Sequence, residues 1–447
     1  MSKEKNMLGS EPIYDARMLG WPKMIILGLQ HLFAMFGATV LVPILVSNDY
    51  GMPLSIQTTL FFAGIGTLIF HVCAKLKIPA FLGSSFAFLG GFQAVSELDV
   101  GKFADMTGAE KLPYAMGGIV VAGLMYILLA LLFKVVGAQK VMRFFPPIVT
   151  GPMIILIGLN LSGSAVANAS ACWPLALLSI AVIIVANIWG KGMIKIIPIL
   201  LGVVIPYIVA LCFNMVDFSG VAAESLAGLP AFTLAKFDIT AILVMAPIAI
   251  ASMMEHIGDI SAISATCNRN FISDPGLHRT LLGDGLATSI AAMFGGPANT
   301  TYGENTGVLA LSRVYDPNVV RMAAGFAILL SFSPKFDAIV NSIPTAIVGG
   351  VSFILYGMIS AVGVRNIVEN RVDLTQSRNL IIAAVILVCG LGFSAGITFT
   401  VGGVAIKLTS LAIAAIAGVA LNAILPGNDY VFGADSKGDG AANLGTY

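Results

Sequence analysis

The chain has 447 residues, 57% of them hydrophobic and only 11% charged, with a formal net charge of +1. Its mean hydropathy is +0.93. Such a composition excludes a water-soluble globule, and a charge so close to zero offers no footprint for nucleic acid.

Residues 1–22 are polar and form a cytoplasmic N-terminus. They are no cleavable signal, because the first apolar run is long enough to stay as a span. Fourteen spans follow, near 23–46, 55–74, 80–97, 112–134, 143–162, 173–189, 194–213, 239–267, 279–294, 300–315, 318–334, 338–363, 379–395 and 404–425. Residues 426–447 form a cytoplasmic tail. With the N-terminus inside, the cytoplasmic segments hold 19 of the 24 Lys and Arg residues, among them Lys3, Lys5, Lys75, Lys77, Arg313, Arg365 and Lys437. One span more or fewer would scramble that asymmetry, so it supports the count itself. The reading is an all-α polytopic protein of the cell membrane, in contact with lipid. Its five cysteines (Cys73, Cys172, Cys212, Cys267, Cys389) are scattered and odd in number, which argues against a disulfide framework or a metal cluster.

Two spans are broken. Span 3 contains Ile78-Pro79-Ala80-Phe81-Leu82-Gly83-Ser84-Ser85-Phe86-Ala87-Phe88, and span 10 follows Gly295-Gly296-Pro297-Ala298-Asn299-Thr300-Thr301-Tyr302-Gly303-Glu304-Asn305. Non-helical backbone at membrane depth must line a protein-enclosed cavity, since lipid cannot hydrogen-bond it. Paired breaks in matching positions of two halves point to a transporter's binding site. The halves are visible as repeats. Ile148 to Gly158 aligns with Ile347 to Gly357, and Gln30-His31 stands opposite Glu255-His256. Both offsets map seven spans onto seven, and an odd number inverts the second copy, giving a 7+7 inverted repeat. The stretch 214–238 is the junction.

In span 8, Glu255 and Asp259 lie at i and i+4 on one helical face. Glu304 adds a third intramembrane acid. Carboxylates at this depth are costly and normally face a cavity, although they can also serve as structural hydrogen-bonding groups. With no intramembrane Lys or Arg nearby, a proton or a cationic donor on a substrate would compensate them. His31 and His256 read as hydrogen-bonded core histidines, because no zinc-like ligand spacing surrounds them. Phe81, Phe86 and Phe88 read as core packing, yet a ring beside a glycine-rich break can also stack a flat ligand. No nucleophile–base constellation suggests an enzyme, and nothing calls for a cofactor.

At these residues the chain resembles the nucleobase-ascorbate transporter family, and within it the uracil permease branch. The signature segment reads Glu304-Asn305-Thr306-Gly307-Val308-Leu309-Ala310-Leu311-Ser312-Arg313, and Gln30-His31 in span 1 matches as well. The resemblance implies short antiparallel strands in broken spans 3 and 10. It implies a core domain at 23–134 and 239–334, a gate domain at 143–213 and 338–425, a homodimer, and elevator-type proton symport of uracil or a related nucleobase. It assigns substrate binding to Glu255, Phe86, Gly303, Glu304, Ser85 and Tyr302, proton coupling to Glu304, Asp259 and Glu255, and supporting roles to His31, Gln30, Asn305 and His256. One departure concerns the proton route: the uracil permease pattern has His four residues after the span 8 Glu, where this chain has Asp259. Uracil offers two N–H donors and two carbonyl acceptors, for which a carboxylate plus backbone amides is the complementary set. A purine or sodium-coupled permease is the nearest alternative. An anion carrier of the same architecture is more remote, because it would want a basic or neutral site.

Overall fold

The computed structural model describes residues 11–99, 101–401 and 404–427. Lys3, Lys5 and Lys437, the first ten residues of the N-terminal segment and nearly all of the 426–447 tail lie outside the described residues.

Helices dominate. α1 (Trp21–Tyr50) and α2 (Ile56–Cys73) lead into strand β1 (Leu82–Ser84) and α3 (Leu89–Ser96). Then come α4 (Gly108–Val136), α5 (Ala138–Met142), α6 (Pro147–Ser170), α7 (Trp173–Ile188), α8 (Met193–Ile196), α9 (Pro198–Cys212) and α10 (Ser219–Ala223). The chain continues through α11 (Ile239–Met245), α12 (Ile248–Cys267), α13 (Leu277–Met293), strand β2 (Asn299–Thr301), α14 (Gly303–Ser312), α15 (Pro317–Ser331) and α16 (Pro334–Asn341). It ends with α17 (Thr345–Glu369), α18 (Ser377–Gly392), strands β3 (Ile397–Val401) and β4 (Val404–Leu408), and α19 (Ser410–Ile424). Local signals set many of the ends. Pro147, Pro198, Pro317 and Pro334 open their helices, where the missing N–H costs nothing. Thr107 and Glu110 close a reciprocal capping box on α4.

Among the described residues six helices are long and apolar enough to cross a membrane, counting Ile239–Cys267 as one. α15 and α16 form a further candidate pair bent by 89°. Five shorter apolar helices, such as Trp173–Ile188 and Ser410–Ile424, accompany them. Leu128, Val135, Ile188 and Val388 stand on the outer surface more than 60% exposed. An apolar exterior of this kind is a lipid-facing one, and the protein is a multi-pass membrane protein.

Several boundaries differ from the sequence expectation: the span expected at 143–162 runs on to Ser170, and two others differ for a clear local reason. The span expected at 338–363 begins at Thr345 and runs to Glu369, because α16 stops at Asn341 and Pro344 precedes the new helix. The span expected at 404–425 is helical only from Ser410. Its first residues pair as β4 with β3, with Ile397 opposite Leu408 and Val401 opposite Val404. The apolar–polar alternation of Ile397, Thr398, Phe399, Thr400 and Val401 is a strand pattern that the surrounding hydropathy masks.

Packing divides the helices into two groups. α13 lies against α4 and α2, and α15 against α2 and α1. In the other group α17 lies against α6 and α7, α18 against α6 and α19, and α7 against α9. α6 and α17 run antiparallel: Gly151 faces Ile367, Gly158 faces the Tyr356 carbonyl, and Gly349 faces Ala169. A Cβ at any of these glycines would overlap the opposite helix, so their absence of side chain permits the close approach. The 214–238 stretch closes one end of the first group. Gly228, Thr233, Ala235 and Lys236 donate backbone hydrogen bonds to Phe332, Phe294, Met293 and Pro113 respectively.

Candidate functional site

β1 and β2 pair antiparallel inside the first group, with Leu82 opposite Thr301, Gly83 opposite Thr300 and Ser84 opposite Asn299. The ladder is extended by Ser85 N–H to Ala298 O (2.8 Å) and Tyr302 N–H to Phe81 O (3.0 Å). The polar backbone of both broken stretches is therefore satisfied by the other. Gly83 is required there, because any Cβ would run into the Tyr302 ring and the Thr39 hydroxyl. Tyr302 Oη donates to Ser84 O (3.0 Å), and Ser84 Oγ donates to Thr39 O (2.8 Å), which ties both strands to α1.

A helix begins immediately after each strand. One starts at Phe86 and runs into α3, the other is α14, and neither Ser85 nor Tyr302 caps its helix with a side chain. The N-cap residue of each thus leaves the first-turn N–H groups, at the positive end of the helix dipole, without a side-chain cap, and in α14 the Glu304 carboxylate takes a hydrogen bond from its own backbone N–H. These two N-termini face a cavity of about 1160 Å³. Its wall includes Phe86, Glu255, Asp259, Tyr302, Gly303 and Glu304, and it extends to Tyr14, Arg313 and Arg365. All three intramembrane acids thus line one cavity.

Their surroundings differ. Asp259 Oδ2 accepts from Thr301 Oγ1 at 3.0 Å. Glu255 Oε2 is buried and has no protein partner, and the same holds for Thr300 Oγ1 and Thr306 Oγ1 on the same wall. Glu304 occupies the first turn of α14, where the helix dipole favours an acid. None of the ion pairs among the described residues involves these three acids. Gly303 opens onto the cavity, and a Cβ there would lie 3.6 Å from Asp259 Oδ1.

The remaining sequence-assigned residues stand behind this wall. Ser85 is buried, with Oγ 3.3 Å from Ser252 Oγ of α12. Asn305 Nδ2 donates to His31 O at 3.1 Å and lies 3.1 Å from His31 Nδ1, joining α14 to α1. Gln30 Nε2 contacts Met193 Sδ at 2.8 Å. His256 Nδ1 meets Asp284 Oδ2 at 2.8 Å with both side chains fully buried. Asp284 is a fourth intramembrane acid that the sequence reading passed over, although an Asp between Gly283 and Gly285 in an apolar span was visible. Among the described residues no set of three His, Cys, Asp or Glu side chains is arranged to hold a metal ion.

Residues 22–399 match the model of the Permease family. The chain is 43% identical over 418 residues to the uracil permease of Bacillus caldolyticus, covering 90% of this chain and 92% of that protein. It is 39% identical to the uracil permease of Bacillus subtilis (95% and 97% covered) and 37% identical to that of Escherichia coli K12 (89% and 90% covered). These relatives are permeases, not enzymes. Among solved structures, the transmembrane domain of the cyanobacterial bicarbonate transporter BicA matches with a TM-score of 0.59 at 17% identity, covering 91% of this chain and 99% of that one. The murine anion transporter Slc26a9 in its inward-facing state matches with a TM-score of 0.62 at 11% identity, covering 94% and 73%. The two structural likenesses speak to the fold alone.

Proposed function

The chain belongs to the Permease family, and from that premise we propose that it is a secondary active transporter importing a nucleobase, uracil first, by proton symport. One observation carries the reading: Glu255, whose buried Oε2 has no protein partner, shares a cavity with two helix N-termini whose N-cap residues provide no side-chain cap. That is the hydrogen-bonding complement of a pyrimidine ring. Glu255 accepts from ring N–H groups, and the backbone N–H groups at Phe86 and at Gly303–Glu304 donate to the carbonyls. Glu304 and Asp259, on the same wall, hold the coupling proton. Tyr302 and Ser85 shape the strand pair, while His31, Gln30, Asn305 and His256 support it from behind.

The transport cycle we propose moves the core (23–134 and 239–334) against the gate (143–213 and 338–425) as an elevator within a homodimer of fourteen-span, 7+7 inverted-repeat subunits. Supporting this reading, the assigned binding residues all belong to one packing group, while α6 and α17 of the other group line the opposite side of the cavity with Thr150, Ile154, Leu355 and Ile359, and the repeat partners Ile148–Gly158 and Ile347–Gly357 fall on these two antiparallel helices. Basic residues Lys195, Arg313 and Arg365 line the cavity at one end, so by the positive-inside rule that end is cytoplasmic. The likeness to bicarbonate and anion transporters raises anion carriage as a second reading, but three acids on the cavity wall oppose an anion. Calorimetric titration of the purified protein with uracil, xanthine and sulfate tests the proposal. Saturable uracil binding, with pH-gradient-driven uptake in proteoliposomes, supports it; sulfate binding without uracil binding would overturn it.

A further inference from the structure

This inference rests on the proposed movement of core against gate. The seam between the two groups is closed at the end away from the cavity mouth. α6 lines the cavity only with Pro147, Thr150 and Ile154 from its first turns. Ten residues beyond Ile154, about 15 Å further along the helix, Ser164 Oγ donates to Asp49 Oδ2, and Asn168 Nδ2 lies 3.3 Å from both Asp49 oxygens. Asp49 sits one residue from the end of α1, in the other group. Deeper in, Phe86 and Tyr356 meet edge-on across the seam with ring centroids 6.0 Å apart. Side-chain hydrogen bonds across this seam include those of Asp49 and Gln30, and Tyr207 Oη of α9 lies 2.6 Å from Ser342 Oγ at the end of α16.

We propose that Asp49 is a positioning residue of the transport cycle, latching α1 to α6 at the closed end and releasing each time the cavity opens on that side. The chemistry suits a latch. The carboxylate takes hydrogen bonds from two neutral donors on successive turns of one helix face, Ser164 and Asn168 at i and i+4. Asp49 is solvent-exposed, so water replaces each bond as it breaks and no buried charge is stranded. The contact is then strong enough to bias the orientation of the transporter and weak enough to part repeatedly. Losing it shifts the ratio of the two orientations by about three- to tenfold, in the range of one or two such bonds. Asp49 makes no contact with the substrate wall, so it acts on orientation and not on the ligand.

The test uses the full-length protein with its five native cysteines replaced by alanine. A single cysteine replaces Ala310, an exposed lining residue of the cavity three residues before Arg313. Asp49→Ala should slow maleimide modification of that cysteine in proportion to the fall in the fraction open toward it, by up to about three- to tenfold, without altering the elution of the folded protein. The exchange Asp49→Ser with Ser164→Asp should restore the rate, which a merely structural role for Asp49 would not produce. In a second arm, Asp49→Cys with Ser164→Cys is bridged by a short bismaleimide, and uracil uptake is measured in proteoliposomes. Uptake that stops on bridging, together with slowed modification in Asp49→Ala, supports the latch. Uptake that stops on bridging while Asp49→Ala labels at the parental rate overturns the latch and leaves the moving seam intact. Bridged protein that still takes up uracil overturns both.

Discussion

Glu255→Gln isolates the site's central interaction. The Oε2 of Glu255 is buried without a protein partner, so the substitution removes no hydrogen bond from the ligand-free protein. Its effect therefore falls on the complex. The glutamine can still accept through its oxygen, but it loses the charge assistance and can turn its amide N–H₂ toward the ring N–H groups. A hydrogen bond to a charged group contributes about 1.5–3 kcal/mol, and a mismatched donor adds about 1–3 kcal/mol. Taken at about 3 kcal/mol in sum, the loss is on the order of 100-fold in Kd. Stability should hold or rise, because an uncompensated buried carboxylate is costly to keep. The assay is calorimetric binding of uracil to purified parent and variant, alongside their thermal unfolding midpoints in the same detergent. An unchanged midpoint with Kd weakened about 100-fold is the expected result. A variant that binds uracil within about threefold of the parent would refute Glu255 as the anchor.

Gly303→Leu should abolish uracil binding, since the added side chain projects into the cavity beside Asp259. Ser84→Ala, which removes the bond to Thr39 O and the 3.2 Å contact with Tyr302 Oη, should cost about 1 kcal/mol of stability and weaken binding far less; equal small effects in titration would move the site elsewhere. Glu304→Gln should keep binding, with less dependence on pH, while losing accumulation driven by an inward proton gradient. If proteoliposomes carrying it still concentrate uracil in response to external acid, Asp259 is the better proton carrier. Asp284→Ala strips the fully buried His256 of its partner at 2.8 Å and should destabilise the protein by about 1–3 kcal/mol, read as a lowered unfolding midpoint; an unchanged midpoint would show that the pair contributes nothing.

Hydropathy is a local property, so the membrane class and the approximate position of the long apolar helices were legible from the residues alone. The same holds for the three acids, because Glu255, Asp259 and Glu304 stand out against apolar neighbours whatever the fold. The two breaks at Gly83 and Gly303 were equally plain, as Gly and Pro disrupt a helix by their own backbone chemistry. Four features needed the tertiary structure. Gly83 lies opposite Thr300 only because two chain segments far apart in sequence supply each other's missing backbone partners. The β3–β4 pair hid within an apolar run, where average hydropathy cannot distinguish a strand from a helix. Asp284 became part of the site's support only when α13 brought it to His256. Asp49 looked like an ordinary acid at a helix end until α6 placed Ser164 and Asn168 against it. Composition and local pattern set what each segment can be, whereas contacts between distant segments depend on the packing of whole helices, which no single stretch of sequence encodes.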